Sequence, residues 1–117
     1  MKPPLGDSWV SLSTKTLKPM PSHFRDVDPR DLRPPHSRPY ADALKLQRQI
    51  ARFGASTVGM PPLVVYEGAD GVLVIYNGVT RASRIAKLAP GTPVRVEVVG
   101  KLRRAYGSDP SIGDMLP

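Results

Sequence analysis

Residues Val72 to Lys87, V-L-V-I-Y-N-G-V-T-R-A-S-R-I-A-K, constrain the fold of this chain more than any other stretch. Val72, Leu73, Val74, Ile75 and Tyr76 are β-branched, aromatic or large and apolar, the make-up of a buried strand. Asn77-Gly78 breaks the run; both residues tolerate positive φ, so the chain can turn sharply there. From Thr80 to Leu88 the spacing becomes helical, with Ala82, Ile85, Ala86 and Ala89 along one apolar stripe. Strand, glycine turn and helix in that order aim the free N–H groups of the helix's first turn, and the positive end of its dipole, back at the turn. A helix start of this kind accepts a phosphate or a carboxylate. Arg81 and Arg84, three apart, are expected on the polar side as fork donors of fixed positive charge. The same arrangement also serves as a plain connection, and no G-x-x-x-x-G-K-[ST] phosphate loop occurs.

A chain of 117 residues supports one domain with a modest core. No apolar run approaches the ~20 residues needed to cross a bilayer, so no membrane partner is expected. The opening M-K-P-P-L-G-D-S-W-V has no apolar core of a secretory leader. The lack of cysteine excludes disulfides, thiolate metal sites and cysteine catalysis; it fits a reducing compartment, and a cytoplasmic location is expected. Seventeen Lys and Arg against ten Asp and Glu leave a formal charge of +7. Such a balance favours polyanions: nucleic acid, nucleotide, an anionic surface or an acidic protein partner. It is also what a basic protein needs merely to stay in solution.

Residues 1–26 read as a proline-rich segment in which no long helix can form. Short strands are expected at Trp9–Leu12 and at Phe24–Val27, the second ended by a turn that Asp28 caps ahead of Pro29. Arg33 to Pro39 reads as an extended basic linker. Tyr40 to Phe53 is the strongest helical pattern, with Ala43, Leu46, Ile50 and Phe53 on one buried face, Asp42 in the first turn and Gly54 as the stop. Lys45, Arg48 and Arg52 repeat on another face of this helix. A stripe of that kind is ordinarily a solvated face and is alternatively a set of nucleic-acid contacts. Leu63–Tyr66 and the strand from Val72, joined by a glycine-rich loop, predict a hairpin, with Glu67 and Asp70 as solvated turn residues. Val94, Val96 and Val98 alternate with Arg95 and Glu97 in a last, half-exposed strand over 94–99. The helix at 79–88 reads as a crossover between the strands at 72–76 and 94–99, right-handed if they run parallel. Residues 101–117 read as a tail. The fold class that follows is α/β (α+β): a small mixed β-sheet with two main helices.

This order of elements, with Pro62-Leu63-Val64-Val65 as a proline-led strand, Gly78-Val79-Thr80-Arg81 as a Gly-x-x-Arg box opening a helix, and Val94-Arg95-Val96-Glu97-Val98-Val99 as a final strand, resembles the ParB N-terminal domain/sulfiredoxin superfamily. The likeness covers roughly 27–100. It implies a phosphate or nucleotide seat at Asn77, Gly78, Val79, Thr80, Arg81 and Arg84. Partition proteins usually carry an acidic residue after the box glycine; Val79 here cannot position a metal, which argues against hydrolysis of the partition type. Their following helix-turn-helix is absent from these residues, so sequence-specific DNA binding of that kind is not expected. Without cysteine, sulfiredoxin chemistry is excluded. Nuclease-like members carry histidine in or beside the box, where this chain has Thr80, a poor base at neutral pH.

The two histidines, His23 and His36, lie in the proline-rich part, and Asp26, Asp28 and Asp31 are spaced as turn caps, not as a metal box. No catalytic set and no metal site can be assigned. Three functions stay open: a nucleotide- or nucleic-acid-binding module, with nucleotide as its one implied cofactor; a nuclease or NTPase, such as an effector or toxin domain; and a non-catalytic domain that binds a protein partner.

Overall fold

The structure, a computed structural model, describes residues 16–116, with side chains from Ser22 onward. Four strands, β1 (Thr16–Val27), β2 (Leu63–Glu67), β3 (Leu73–Asn77) and β4 (Val94–Leu102), form one mixed sheet in the order β1-β4-β2-β3. β1 pairs antiparallel with β4, β2 parallel with β4 and β3 antiparallel with β2. Three helices accompany it: α1 (Ala43–Phe53), α2 (Val79–Leu88) and the short α3 (Ile112–Met115). The expected small mixed-sheet α+β domain is what the chain forms.

The expected hairpin is β2–β3, and β1 contains Phe24–Val27 but runs back to Thr16. Pro19 and Pro21 fit there because β1 is an edge strand, where a missing N–H can face solvent. The strand expected at Trp9–Leu12 lies outside the described residues. Asp28 caps the 3-10 turn Pro29–Asp31 as expected, accepting from the Arg30 N–H at 2.9 Å.

Several expectations need correction. β3 and β4 are not neighbours, because β2 lies between them and runs parallel to β4 while β3 runs against it. The crossover therefore leads from the hairpin as a unit, through α2, to the far side of β2. α1 begins at Ala43, not Tyr40, because the Asp42 carboxylate takes the Lys45 N–H at 3.0 Å and sets the N-cap. Its apolar face is only half covered: Leu46 and Ile50 are half-buried, and Ala43 and Phe53 are exposed. The reason is its packing against α2 and not against the sheet.

The basic stretch after Leu32 is no free linker. Arg33 donates its N–H to Leu73 and accepts from Ile75, so the chain runs beside β3 and extends the sheet edge. Nor is 101–116 a tail. β4 continues to Leu102, Ser111 and Asp114 form a reciprocal cap on α3, and Ile112, 3% exposed, enters the core. Asp70, expected to be a solvated turn residue, accepts N–H groups from Tyr106, Gly107 and Val72 and holds this returning segment.

Leu63, Val65, Ile75, Val96 and Val98 face α2, whose Val79, Ala82, Ile85 and Ala86 complete the core. Strand alternation sends Val64, Tyr66, Val74, Tyr76, Arg95 and Glu97 to the opposite face. Among the described residues no helix packs on that face.

Candidate functional site

α2 starts where β3 ends. Gly78 is its N-cap, with φ +117°, a left-handed backbone that a side chain would strain. The space is also occupied: a Cβ at Gly78 would lie 2.5 Å from Leu63 Cδ2 and 3.1 Å from Arg81 Nη2. A glycine at this position leaves the helix with no side-chain cap. Its first bonded N–H is that of Ala82, which donates to the Gly78 carbonyl at 2.9 Å. The N–H groups of Val79, Thr80 and Arg81 have no acceptor among the described residues. They form the open positive end of a ten-residue helix.

Arg81 stands over Gly78. Its Nη1 donates to the carbonyls of Pro61 (2.8 Å) and Pro62 (3.3 Å), which fixes the guanidinium. Partial burial lowers its pKa. Nε and Nη2 have no acceptor among the described residues. The fork is thus tied by one arm, with the other beside the helix start. Asn77 and Thr80 border the same opening, Asn77 exposed and Thr80 half-buried.

Two members of the expected seat do not belong to it as side chains. Val79 points into the core and can offer only its N–H. Arg84, expected on the polar side, is 2% exposed. Its Nη1 donates to the carbonyls of Gly54 (2.7 Å) and Ser56 (2.8 Å), Nε to Gln49 Oε1 (3.4 Å), and Nη2 faces the Met60 sulfur. Desolvation lowers its pKa, and the carbonyls offset that cost. The side chain is turned inward because the loop after α1 presents carbonyls with no other donor among the described residues; it is a structural clamp.

Lys45, Arg48 and Arg52 are exposed on α1 and form no ion pair among the described residues; Arg52 lies over the Phe53 ring at 5.3 Å. Their helix reaches α2 through the Arg84 clamp, and among the described residues no hydrogen bond or ion pair joins them to the Gly78 opening.

Sequence reasoning missed a second cluster. On the outer sheet face Tyr66 and Tyr76 meet edge to face, ring centroids 5.8 Å apart. Tyr76, expected within a buried strand, is 69% exposed. Beside them His36 Nε2 lies 2.7 Å from Asp109 Oδ2, and Arg104 forks onto the same carboxylate at 2.8 and 3.1 Å. Arg104, then His36, hold the Asp109 carboxyl below its ordinary range. The available signal was alternation: one step from Val65 in β2 and one step from Ile75 in β3 put Tyr66 and Tyr76 on the face away from the core. His23 is exposed on β1, the edge strand that β4 separates from the β2–β3 hairpin carrying the tyrosines.

Among the described residues no group of three or more His, Asp or Glu converges to hold a metal, and no helix is long and apolar enough to cross a membrane. No protein-family model, curated protein or solved structure matches the chain.

Proposed function

We propose that the chain is a divergent ParB-like domain that binds a nucleotide, or a phosphate of a nucleic acid, at 77–81, among the polyanions of the cytoplasm. One observation carries this reading: the N-terminus of α2 is uncapped, and the Arg81 guanidinium beside it is held by the Pro61 and Pro62 carbonyls with its other arm open. Backbone N–H groups and a fixed guanidinium together suit a phosphate, because both are in place before the ligand arrives. The charge of +7 adds long-range attraction.

The test is calorimetric titration of nucleoside triphosphates and short oligonucleotides into wild type and Thr80→Glu. A carboxylate in the first turn favours the helix dipole, so the variant should melt no lower than wild type. It also repels an anion at the same place. Wild-type affinity should fall as salt rises, and the substitution should weaken it at least ten-fold. Equal affinities, or no binding by the wild type, would refute the assignment.

A further inference from the structure

The outer sheet face holds a groove of about 760 Å³ lined by the Pro35–Ser37 segment, by Arg103, Arg104 and Tyr106 after β4, and by residues of β2 and β3. That size falls in the range of about 300–1,000 Å³ found for ligand clefts. Its floor includes Val74, which is buried yet lies outside the main core cluster, and the Tyr66–Tyr76 pair. The contents of this groove are mostly flat groups. His36 and Tyr106 meet edge to face at 6.2 Å, and the Arg104 guanidinium lies over the Tyr106 ring at 4.4 Å. Asp109 fixes both His36 and Arg104, and Asp70 fixes the Tyr106 backbone, so these surfaces are set without a ligand. Arg103 lines the groove, Lys101 and Arg38 are exposed next in sequence to the lining residues Leu102 and Ser37, and none of the three forms an ion pair among the described residues.

Aromatic rings and a guanidinium plane recognise a flat, unsaturated ligand; unpaired basic side chains at the rim recognise negative charge. An unpaired base on a phosphodiester backbone has both properties. A duplex has its base faces closed, and an acidic peptide does not present a ring at every charged unit as a polynucleotide does.

We propose that this groove binds the unpaired bases of a single-stranded polynucleotide, which stack on Tyr76 and on the His36–Tyr106 side while Arg103, Lys101 and Arg38 meet the backbone. None of the residues lining the groove belongs to 77–81, although Tyr76 adjoins Asn77, and the proposal does not depend on the α2 seat.

The test is fluorescence anisotropy of the full chain with a labelled twelve-nucleotide pyrimidine strand, as RNA and as DNA, alone or annealed to its complement, at one fixed salt concentration. The single strands should bind at least ten-fold more tightly than the duplexes, and the ratio of RNA to DNA affinity identifies the natural form. Tyr76 is exposed, so its variants should fold. Tyr76→Phe keeps the ring and should retain binding, whereas Tyr76→Leu keeps apolar bulk without a ring and should lose at least five-fold. Thr80→Glu should leave the preference for single strands intact; if it also leaves affinity intact, the α2 seat fails while the groove stands. Equal binding of duplex and single strand, equal binding by Tyr76→Leu and wild type, or no binding to either polynucleotide overturns the proposal.

Discussion

Two hydrogen bonds from a single nitrogen, Arg84 Nη1 to the carbonyls of Gly54 and Ser56, fasten the loop after α1 to the middle of α2. Arg84→Met keeps most of the side-chain volume and removes every donor. The two carbonyls, one on half-buried Gly54 and one on exposed Ser56, then lose their charged donor, and so does Gln49, which frees the loop from α2. Urea unfolding should show a loss of about 2–4 kcal/mol. A loss under about 0.5 kcal/mol, the usual size for an exposed site, would mean that Arg84 is not a clamp. This residue was misread from the sequence for a definite reason. Helical spacing places Arg84 between apolar positions, and periodicity assigns a charged residue to solvent. What draws it inward is a set of carbonyls some thirty residues away in the chain, which no local pattern contains. Gly78, by contrast, was legible: a glycine between an apolar strand and a helical repeat marks a backbone that other residues strain.

At the level of elements, the hairpin, α2 and β4 could be read because each carries its own period and its own stop signals. The returning segment after β4 could not. Its order comes from Ile112 in the core and from acceptors on distant residues, above all Asp70 and Asp109. Partial burial pushes the Asp70 carboxyl up, and the N–H groups of Tyr106, Gly107 and Val72 outweigh it, leaving the pKa below the ordinary carboxylate value. Asp109 is lowered by Arg104 and His36. A carboxyl whose folded pKa lies below its unfolded value stabilises the fold above that unfolded value, and the contribution is lost as pH falls through the folded one. Hydrogen exchange at Tyr106, Gly107 and Ile112 should therefore accelerate, relative to the β2 and β4 core, as pH drops below about 4. In Asp70→Ala the Tyr106 and Gly107 amides should exchange fast already at neutral pH. Protection at these amides that stays constant from pH 7 to pH 3 contradicts the tether.

For the whole molecule, the sheet is covered by helices on one face and, among the described residues, bare of helices on the other. The two faces divide the work: one builds the core and ends in the uncapped start of α2, and the other displays tyrosines and cations. Net charge was legible from composition, but its placement was not, since Arg84 and half of Arg81 are spent on the protein's own carbonyls. The most direct measurement is a two-dimensional amide NMR titration with inorganic pyrophosphate at low salt. The account predicts saturable shifts at the Val79, Thr80 and Arg81 amides and at the Arg81 Nε, fading as salt is added. Shifts confined to Lys45, Arg48 and Arg52, with the start of α2 unmoved, would contradict it.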